Sequence, residues 1–216
     1  PRRRARRPPC ALVVAFPRGL SRGLCRGTFS AAEHPAPVPQ GMPVPPPPAP
    51  DGEALVNAVR LTNAYLIANH GDTCSFATFF AAVLDPTTGR LLYVNAGHNP
   101  PLVLGPDGRG GRELRGELSP TGPAIGLLLN TTYQIGEFDL QPGDLLFVFT
   151  DGVTEARNPA AEEVGEGRLE ELLTARDESA EATLVVVDDA VLHHTGEAEA
   201  FDDVTMVGLR WGMPSD

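Results

Sequence analysis

Lysine is absent from this chain of 216 residues, so all 17 basic residues are arginine. Residues 1–50 carry eight arginines and one acid, whereas residues 51–216 carry nine arginines and 27 acids. The first part is therefore formally +7 and the second −18, which together give the net charge of −11. A nucleic-acid-binding domain shows a basic patch or stripe, so the acidic body argues against nucleic acid as a partner.

Cysteine and long apolar runs are also scarce. The three cysteines, Cys10, Cys25 and Cys74, are an odd number without Cys-x-x-Cys spacing, which favours neither a disulfide framework nor a zinc site. A reducing, cytoplasmic location fits this pattern best. No apolar run approaches the roughly 18 residues that a membrane-spanning helix needs, so we expect no membrane span.

Proline is concentrated in one segment of the chain. Thirteen of the 22 prolines lie in residues 1–50, including the run Pro45–Pro48, and the apolar residues there follow neither strand nor helix periodicity. We interpret residues 1–50 as an Arg/Pro-rich disordered segment on which the rest does not depend. Such a composition is also what a GC-rich gene yields when it is translated from the wrong start or frame.

The rest of the chain, residues 51–216, is predicted to form a helix, then a series of strands, two further helices and one last strand. A first helix is predicted from a cap at Asp51 to Gly71, because apolar residues recur there at helical spacing. Alternating or continuous apolar runs bounded by turn residues then predict seven strands and two further helices. The strands are Phe76–Leu84, Leu91–Asn95, Leu102–Leu104, Arg112–Leu118, Thr132–Leu140, Leu145–Phe149 and Val204–Trp211, and the helices are Gly167–Ala175 and Ser179–His194. This order indicates an α+β fold with antiparallel sheets.

Two acidic positions stand out at strand ends. Asp151-Gly152 directly follows the apolar run Leu145–Phe149, and Asp202-Asp203 directly precedes the last strand. If these strands are neighbours, Asp151 and Asp202 converge on one site. Carboxylate oxygens suit hard cations such as Mg²⁺ and Mn²⁺, and such an ion supports hydrolysis of a phosphate.

Three segments together resemble a known family. They are YVNAGHNPP (Tyr93–Pro101), GDLLFVFTDGVTEARN (Gly143–Asn158) and DDVTMVGLR (Asp202–Arg210). In this order and spacing they closely resemble the SpoIIE/RsbU branch of the PPM-type (type 2C) serine/threonine phosphatases. The resemblance covers about residues 51–211 and leaves 212–216 as a tail. It implies an α–β–β–α sandwich of two antiparallel sheets.

The resemblance also implies a chemistry. Family members hold two Mn²⁺ or Mg²⁺ ions, and water attacks the phosphorus of phosphoserine or phosphothreonine without a phospho-enzyme. Members of this branch usually act on phosphorylated anti-anti-sigma proteins in bacteria, so the implied partner is a regulatory phosphoprotein. By motif matching, Asp151 and Asp202 are metal ligands. Gly152, Asp203 and Thr205 are their supporting neighbours.

The sequence departs from the family at one point. The family's early D-x-x-G-x-G metal motif should precede Asp51, but the only acid in residues 1–50 is Glu33. We therefore expect an amino-terminally truncated domain with impaired activity. Two alternatives follow from the same absence: a non-catalytic module that binds phosphoproteins, or a fragment produced by a mis-called gene start. The oligomeric state is not predicted.

Two further residues have competing interpretations. His98, in the AGHNPP loop, is a candidate for phosphate binding or acid catalysis, although a structural role in ordering its turn is the favoured one. Arg157 is a candidate for phosphate contact, although a salt bridge to Glu155 or Glu162 is the commoner fate. Glu162 and Glu163 are interpreted as a solvated face rather than as part of a metal shell.

Overall fold

The computed structural model describes residues 10–17 (as a backbone strand), 52–70, 76–198 and 202–212. Within these ranges, eight strands form two antiparallel four-stranded sheets. The first sheet has the strand order β1 (Cys10–Pro17), β2 (Ala77–Leu84), β3 (Arg90–Ala96) and β6 (Gly136–Asp139). The second has the order β5 (Arg112–Glu117), β4 (Leu102–Pro106), β7 (Leu145–Phe149) and β8 (Met206–Arg210).

Helices cover the outer faces of the two sheets. The four helices of the described residues are α1 (Gly52–His70), α2 (Asp151–Thr154), α3 (Gly165–Thr174) and α4 (Ala180–Thr195). Helix α1 packs on β2 and β3 of the first sheet, while α3 and α4 pack on β5 and β8 of the second. The predicted α–β–β–α sandwich of antiparallel sheets is confirmed. Among the described residues, no helix is long and apolar enough to cross a lipid bilayer.

The alternation of side chains along β7 explains its unbroken apolar run. Leu145, Phe147 and Phe149 pack against apolar residues of α3 and α4, and Leu146 and Val148 pack between the two sheets. Because successive side chains of a strand point to opposite faces, a strand covered on both faces needs apolar residues at every position. All five side chains are buried.

Most helix predictions are confirmed, with the usual small shifts at the ends. Ser179 caps α4, since its hydroxyl accepts a hydrogen bond from the Ala182 backbone N–H at 3.1 Å. Val187 and Val191 on the same helix are buried. The predicted cap Asp51 and the predicted end Gly71 lie outside the described residues. The short helix α2 was not predicted, and β6 is shorter than the predicted strand Thr132–Leu140.

The prediction of a wholly disordered segment 1–50 is wrong for eight residues. Cys10–Pro17 forms β1, which pairs with β2 along its whole length, from Cys10↔Leu84 to Pro17↔Ala77. The physical reason lies in β2, which would otherwise present an unpaired row of backbone N–H and C=O groups. A run of apolar and β-branched residues, ALVVAF, suits such a pairing. The other residues of 1–50 lie outside the described part of the chain.

The strand registers bring several strand ends together at one end of the sandwich. In the first sheet, Pro17 at the end of β1 pairs with Ala77 at the start of β2, and Phe79 pairs with Ala96 at the end of β3. In the second sheet, Phe149 at the end of β7 pairs with Met206 at the start of β8.

A short loop joins the two sheets at this end. The five residues 97–101 connect β3 to β4, and Leu102 of β4 pairs with Phe147. The ends of β1, β3 and β7 therefore lie at one edge of the molecule.

Candidate active site

Hydrogen bonds fasten the end of β7 to the segment before β8. The Thr150 N–H donates to the Thr205 carbonyl at 3.0 Å, and the Thr205 N–H donates to Thr150 Oγ1 at 2.9 Å. Thr150 Oγ1 in turn donates to the carbonyl of Asp203 at 2.9 Å. The two strands are thus neighbours, which is the condition for Asp151 and Asp202 to converge. Asp151 directly follows this junction and Asp202 precedes it.

Gly152 permits the close approach of these two segments. A Cβ built on Gly152 would lie 2.5 Å from the carbonyl oxygen of Asp203, a distance that real Cβ atoms essentially never show. The requirement here is space rather than an unusual backbone angle. A side chain of any size at this position would push the two segments apart.

The carboxylates at the junction are accessible to solvent. Asp202 is exposed, while Asp151 and Asp203 are half-buried, as is Thr205. Asp151 Oδ1 accepts from the Gly152 N–H at 3.1 Å, and Asp202 Oδ1 accepts from the Asp203 N–H at 2.7 Å. An ionised carboxylate offers about four lone-pair sites on its two oxygens.

The donor set fits one hard cation better than two. Oxygen ligands are those that Mg²⁺ and Mn²⁺ prefer, and Mg²⁺ typically binds through one or two carboxylates plus water and substrate phosphate. Within residues 52–70, 76–198 and 202–212, no group of three or more His, Cys, Asp or Glu side chains is arranged to hold a metal ion. Asp151 and Asp202, with Asp203 next to Asp202 in the chain, supply carboxylate oxygens, which are ligands of the type that such an ion prefers.

His98 lies in the interior and not on the surface of this edge. Only 2% of the residue is exposed, and its Nδ1 lies 3.4 Å from Thr78 Oγ1 at the start of β2. Burial lowers the pKa of His98 to about 4, although the Asp151 carboxylate acts to raise it. The ring is therefore neutral near pH 7. Its burial favours an internal role over direct contact with a phosphate.

Asn95 lies near the end of β3, close in the chain to His98, and was not singled out as a site residue from the sequence. It is fully buried; its Oδ1 accepts from the His98 N–H at 2.8 Å, and its Nδ2 donates to the Leu118 carbonyl at 2.9 Å. Its carbonyl also accepts the N–H groups of Thr121 and Gly122. The available signal was a lone amide inside the apolar strand LLYVNA, because a buried polar group requires partners.

Arg157 forms a salt bridge, although not with either expected partner. Its guanidinium meets Glu163 Oε1 at 2.7 Å, across a short antiparallel bridge between the two residues. Glu162 Oε2 accepts from Asn158 Nδ2 at 2.8 Å. Glu162 and Glu163 are thus engaged within their own loop. The partner of Arg157 was mispredicted because a tight turn at residues 158–161 sets the spacing across the loop.

Comparison with known proteins identifies a matching family model and a similar protein. A family model described as Stage II sporulation protein E (SpoIIE) matches residues 46–212. The chain is 40% identical over 155 residues to Protein IcfG of Synechocystis sp. (strain ATCC 27184 / PCC 6803 / Kazusa). That alignment covers 72% of this chain and 24% of the relative, so the chain spans about a quarter of the relative's length.

Solved structures share the fold at low sequence identity. The SiaA-PP2C domain of Pseudomonas aeruginosa matches with a TM-score of 0.59 and 18% identity, over 74% of this chain and 65% of that one. The RsbU and RsbW domains of Rv1364c from Mycobacterium tuberculosis match with a TM-score of 0.57 and 24% identity, over 75% and 43%. The SpoIIE phosphatase domain of Bacillus subtilis matches with 0.52 and 17%, over 74% and 66%.

Proposed function

The chain belongs to the SpoIIE family, and from this premise we propose that it is a metal-dependent protein serine/threonine phosphatase. The observation that carries the proposal is the junction of β7 and β8, where hydrogen bonds through Thr150 hold two acidic segments side by side. This junction combines accessible carboxylates with a backbone that the strands keep in place. Such a combination is what a site for a hard cation requires.

Each residue of the junction has a proposed part. Asp151 and Asp202 hold Mn²⁺ or Mg²⁺ through their carboxylates, and Asp203 adds negative charge beside them. Gly152 allows the two segments to touch, and Thr205 secures the β8 side through its backbone bonds to Thr150. The bound ion would act as a Lewis acid towards a phosphate and would activate water for its hydrolysis.

The proposed substrate is phosphoserine or phosphothreonine on a regulatory protein of the anti-anti-sigma type. The resemblance to the SpoIIE/RsbU branch supports this choice, as does the fold shared with the RsbU and RsbW domains of Rv1364c. The accessible Asp151–Asp202 edge suits a protein substrate, because a phosphorylated side chain on another surface must reach it. A cytoplasmic location is part of the same proposal.

A second candidate is a module that binds a phosphoprotein without hydrolysing it. Two observations favour it: residues 1–50 contain no aspartate, and the described residues contain no cluster of three metal-binding side chains. Two-metal hydrolysis clamps the attacking and the leaving oxygen together, which one weakly held ion does not do. We therefore expect the chain to hydrolyse its substrate far more slowly than a complete family site.

Both candidates are tested by one assay on the purified 216-residue chain. Phosphate release from a phosphoserine peptide is followed as Mn²⁺ is raised, in the wild type and in the Asp151→Asn and Asp202→Asn variants. The matched control is Asp189→Asn, an exposed acid in the middle of α4. We expect slow, Mn²⁺-dependent turnover that both junction variants abolish and the control retains.

The assay separates the outcomes clearly. No phosphate release at any Mn²⁺ concentration, with phosphopeptide binding retained in a fluorescence-anisotropy titration, would favour the binding module. Turnover that survives Asp151→Asn would contradict the assigned site. Turnover as fast as that of the SiaA-PP2C domain of Pseudomonas aeruginosa would show that the two carboxylates suffice and that the expected impairment is wrong.

A further inference from the structure

A groove lies between α1 and residues 129–133, the segment that precedes β6. Its volume is about 690 Å³, within the range of roughly 300–1,000 Å³ that is usual for small-molecule sites. Leu61 and Ala64 of α1 line one wall, and Leu129 lines the other. The two leucines are 72% and 65% exposed. The groove is therefore open to solvent and large enough for a small organic molecule.

Hydrogen bonds hold the two walls of the groove together. Asn63 of α1 is 4% exposed. Its Nδ2 donates to the Leu128 carbonyl at 3.0 Å, and its Oδ1 accepts from the Gly126 N–H at 2.8 Å. Thr131 Oγ1 donates to the same Leu128 carbonyl at 3.0 Å. Because these bonds fix the loop to the helix, the groove is formed before any ligand enters, as is usual for small-molecule sites.

Among the described residues that line the groove, Arg60 is the only charged one. No salt bridge between described residues involves it. Glu53 lines a smaller, adjoining pocket, about two helical turns before Arg60. Tyr133 also lines the groove; it is 3% exposed, and its hydroxyl has no hydrogen-bond partner in the described part of the chain. A cation and an unsatisfied donor both favour a ligand that brings acceptor oxygens.

We propose that this groove binds a small organic anion, whose apolar chain or ring lies between the two walls and whose carboxylate, sulfonate or phosphate group meets Arg60. Contact with Leu61 and Leu129 removes apolar surface of both partners from water. The guanidinium offers the acidic group five N–H donors. Charge complementarity selects this occupant, because an organic cation would meet Arg60 without a carboxylate to offset the repulsion. The site lies on the α1 side of the first sheet and does not depend on the cation site at the junction of β7 and β8.

Two fluorescent probes that share one ring system test this site on the full 216-residue chain, without added metal. The anionic probe is 8-anilinonaphthalene-1-sulfonate, and the neutral one is N-phenyl-1-naphthylamine, which lacks the sulfonate. Each is titrated by its fluorescence against the wild type and the variants. We expect the wild type to bind both at one saturable site. The two dissociation constants then separate the contribution of the charge from that of the apolar contact.

One pair of variants tests the place of binding. Ala64→Trp puts an indole into the groove, and its matched control is Ala58→Trp, at an exposed alanine of α1 that does not line it. We expect Ala64→Trp to weaken the binding of both probes at least about tenfold, because so large a side chain takes the place of the ligand. Ala58→Trp should leave both dissociation constants unchanged.

A second pair tests the charge. Arg60→Gln should weaken the binding of the anionic probe about two- to fivefold, the effect of losing an exposed ion pair, and should leave that of the neutral probe unchanged. The control is Arg109→Gln, on the exposed turn between β4 and β5, which should change neither.

Three outcomes would overturn the proposal: binding of neither probe by the folded wild type, equal effects of the two Trp variants, or equal effects of Arg60→Gln on the two probes. If Ala64→Trp does not fold, as judged by circular dichroism, Leu129→Glu decides, with Leu127→Glu as its control. Both leucines are exposed, but only Leu129 lines the groove. The new carboxylate at position 129 should weaken the anionic probe more than the neutral one, and no difference between the two Glu variants would overturn the proposal.

Discussion

At the scale of single residues, Gly152 matters because of the space that it leaves empty. The backbone of Asp203 occupies the volume into which a Cβ would project. Because the obstacle is a backbone carbonyl in a hydrogen-bonded junction, it cannot turn aside as a flexible side chain could. The glycine that follows Asp151 is thus explained by the contact between two strand ends as well as by the turn after β7.

We predict that Gly152→Ala lowers the free energy of unfolding by about 1–3 kcal/mol, as overpacking at a rigid contact does. It should also weaken Mn²⁺ binding, because Asp151 and Asp202 are moved apart. Urea-induced unfolding and the Mn²⁺ titration measure the two effects.

The matched control is Gly167→Ala on α3, where a new Cβ meets nothing within 4 Å. In a helix this change should raise the free energy of unfolding by roughly 0.5–1 kcal/mol. Equal stability of the two variants would contradict the steric explanation for Gly152.

At the scale of elements, Arg112 joins β5 to the turn between α3 and α4. Its side chain is 1% exposed, and its guanidinium donates to Asp177 Oδ1 and to Thr183 Oγ1, each at 3.2 Å. It also donates to the carbonyl of Glu178. Arg210 of β8 also forms a salt bridge with Asp177, with 2.8 Å between Nη2 and Oδ1. Two strands of the second sheet are in this way tied to the helical layer that covers them.

Arg112→Ala should lower the free energy of unfolding by about 2–4 kcal/mol, because the Leu173 carbonyl and the Thr183 hydroxyl lose a buried donor. The loss stays below that of an isolated buried ion pair, since Asp177 retains Arg210. Guanidinium-induced unfolding is the measurement.

Arg109→Ala is the corresponding control, because Arg109 lies on an exposed turn of the same hairpin. Its effect should stay within about 0.5 kcal/mol. A similar small effect of Arg112→Ala would show that the turn between α3 and α4 is held by packing alone.

At the scale of the whole molecule, the edge strand of the first sheet, β1, comes from the Arg/Pro-rich segment 1–50. β1 pairs with β2 over eight residues and thereby places β2 inside the sheet. Without β1, the edge of β2 would carry unpaired backbone groups along ATFFAAVL, an apolar segment of the kind that pairs with other chains.

Deletion of residues 1–17 should therefore destabilise the protein by several kcal/mol, at about 1 kcal/mol for each net hydrogen bond lost. It should also promote self-association. Deletion of residues 1–9 alone, which spares β1, should leave the thermal unfolding midpoint unchanged. Differential scanning calorimetry and sedimentation velocity compare the two. Identical behaviour of both deletions would contradict the contribution of β1.

The sequence by itself determined those helices and strands that depend on interactions between residues close together in the chain. The cap at Ser179, the inward face of α4 and the apolar run of β7 can all be inferred from neighbouring residues, since periodicity and capping act over a few positions. The acids at the ends of β7 and before β8 were visible for the same reason. Family motifs then predicted the sandwich, which the structure confirms.

Only the tertiary structure decided which distant segments meet. It pairs Cys10–Pro17 with β2, and it brings Thr150 to Thr205 across more than 50 residues of sequence. It also buries His98 against Thr78 and Phe80 and gives Arg157 the partner Glu163. These contacts depend on strand register and on the packing of two sheets, which are properties of the assembled fold. A segment that looks unstructured alone becomes a strand once the edge of β2 offers it hydrogen-bonding partners.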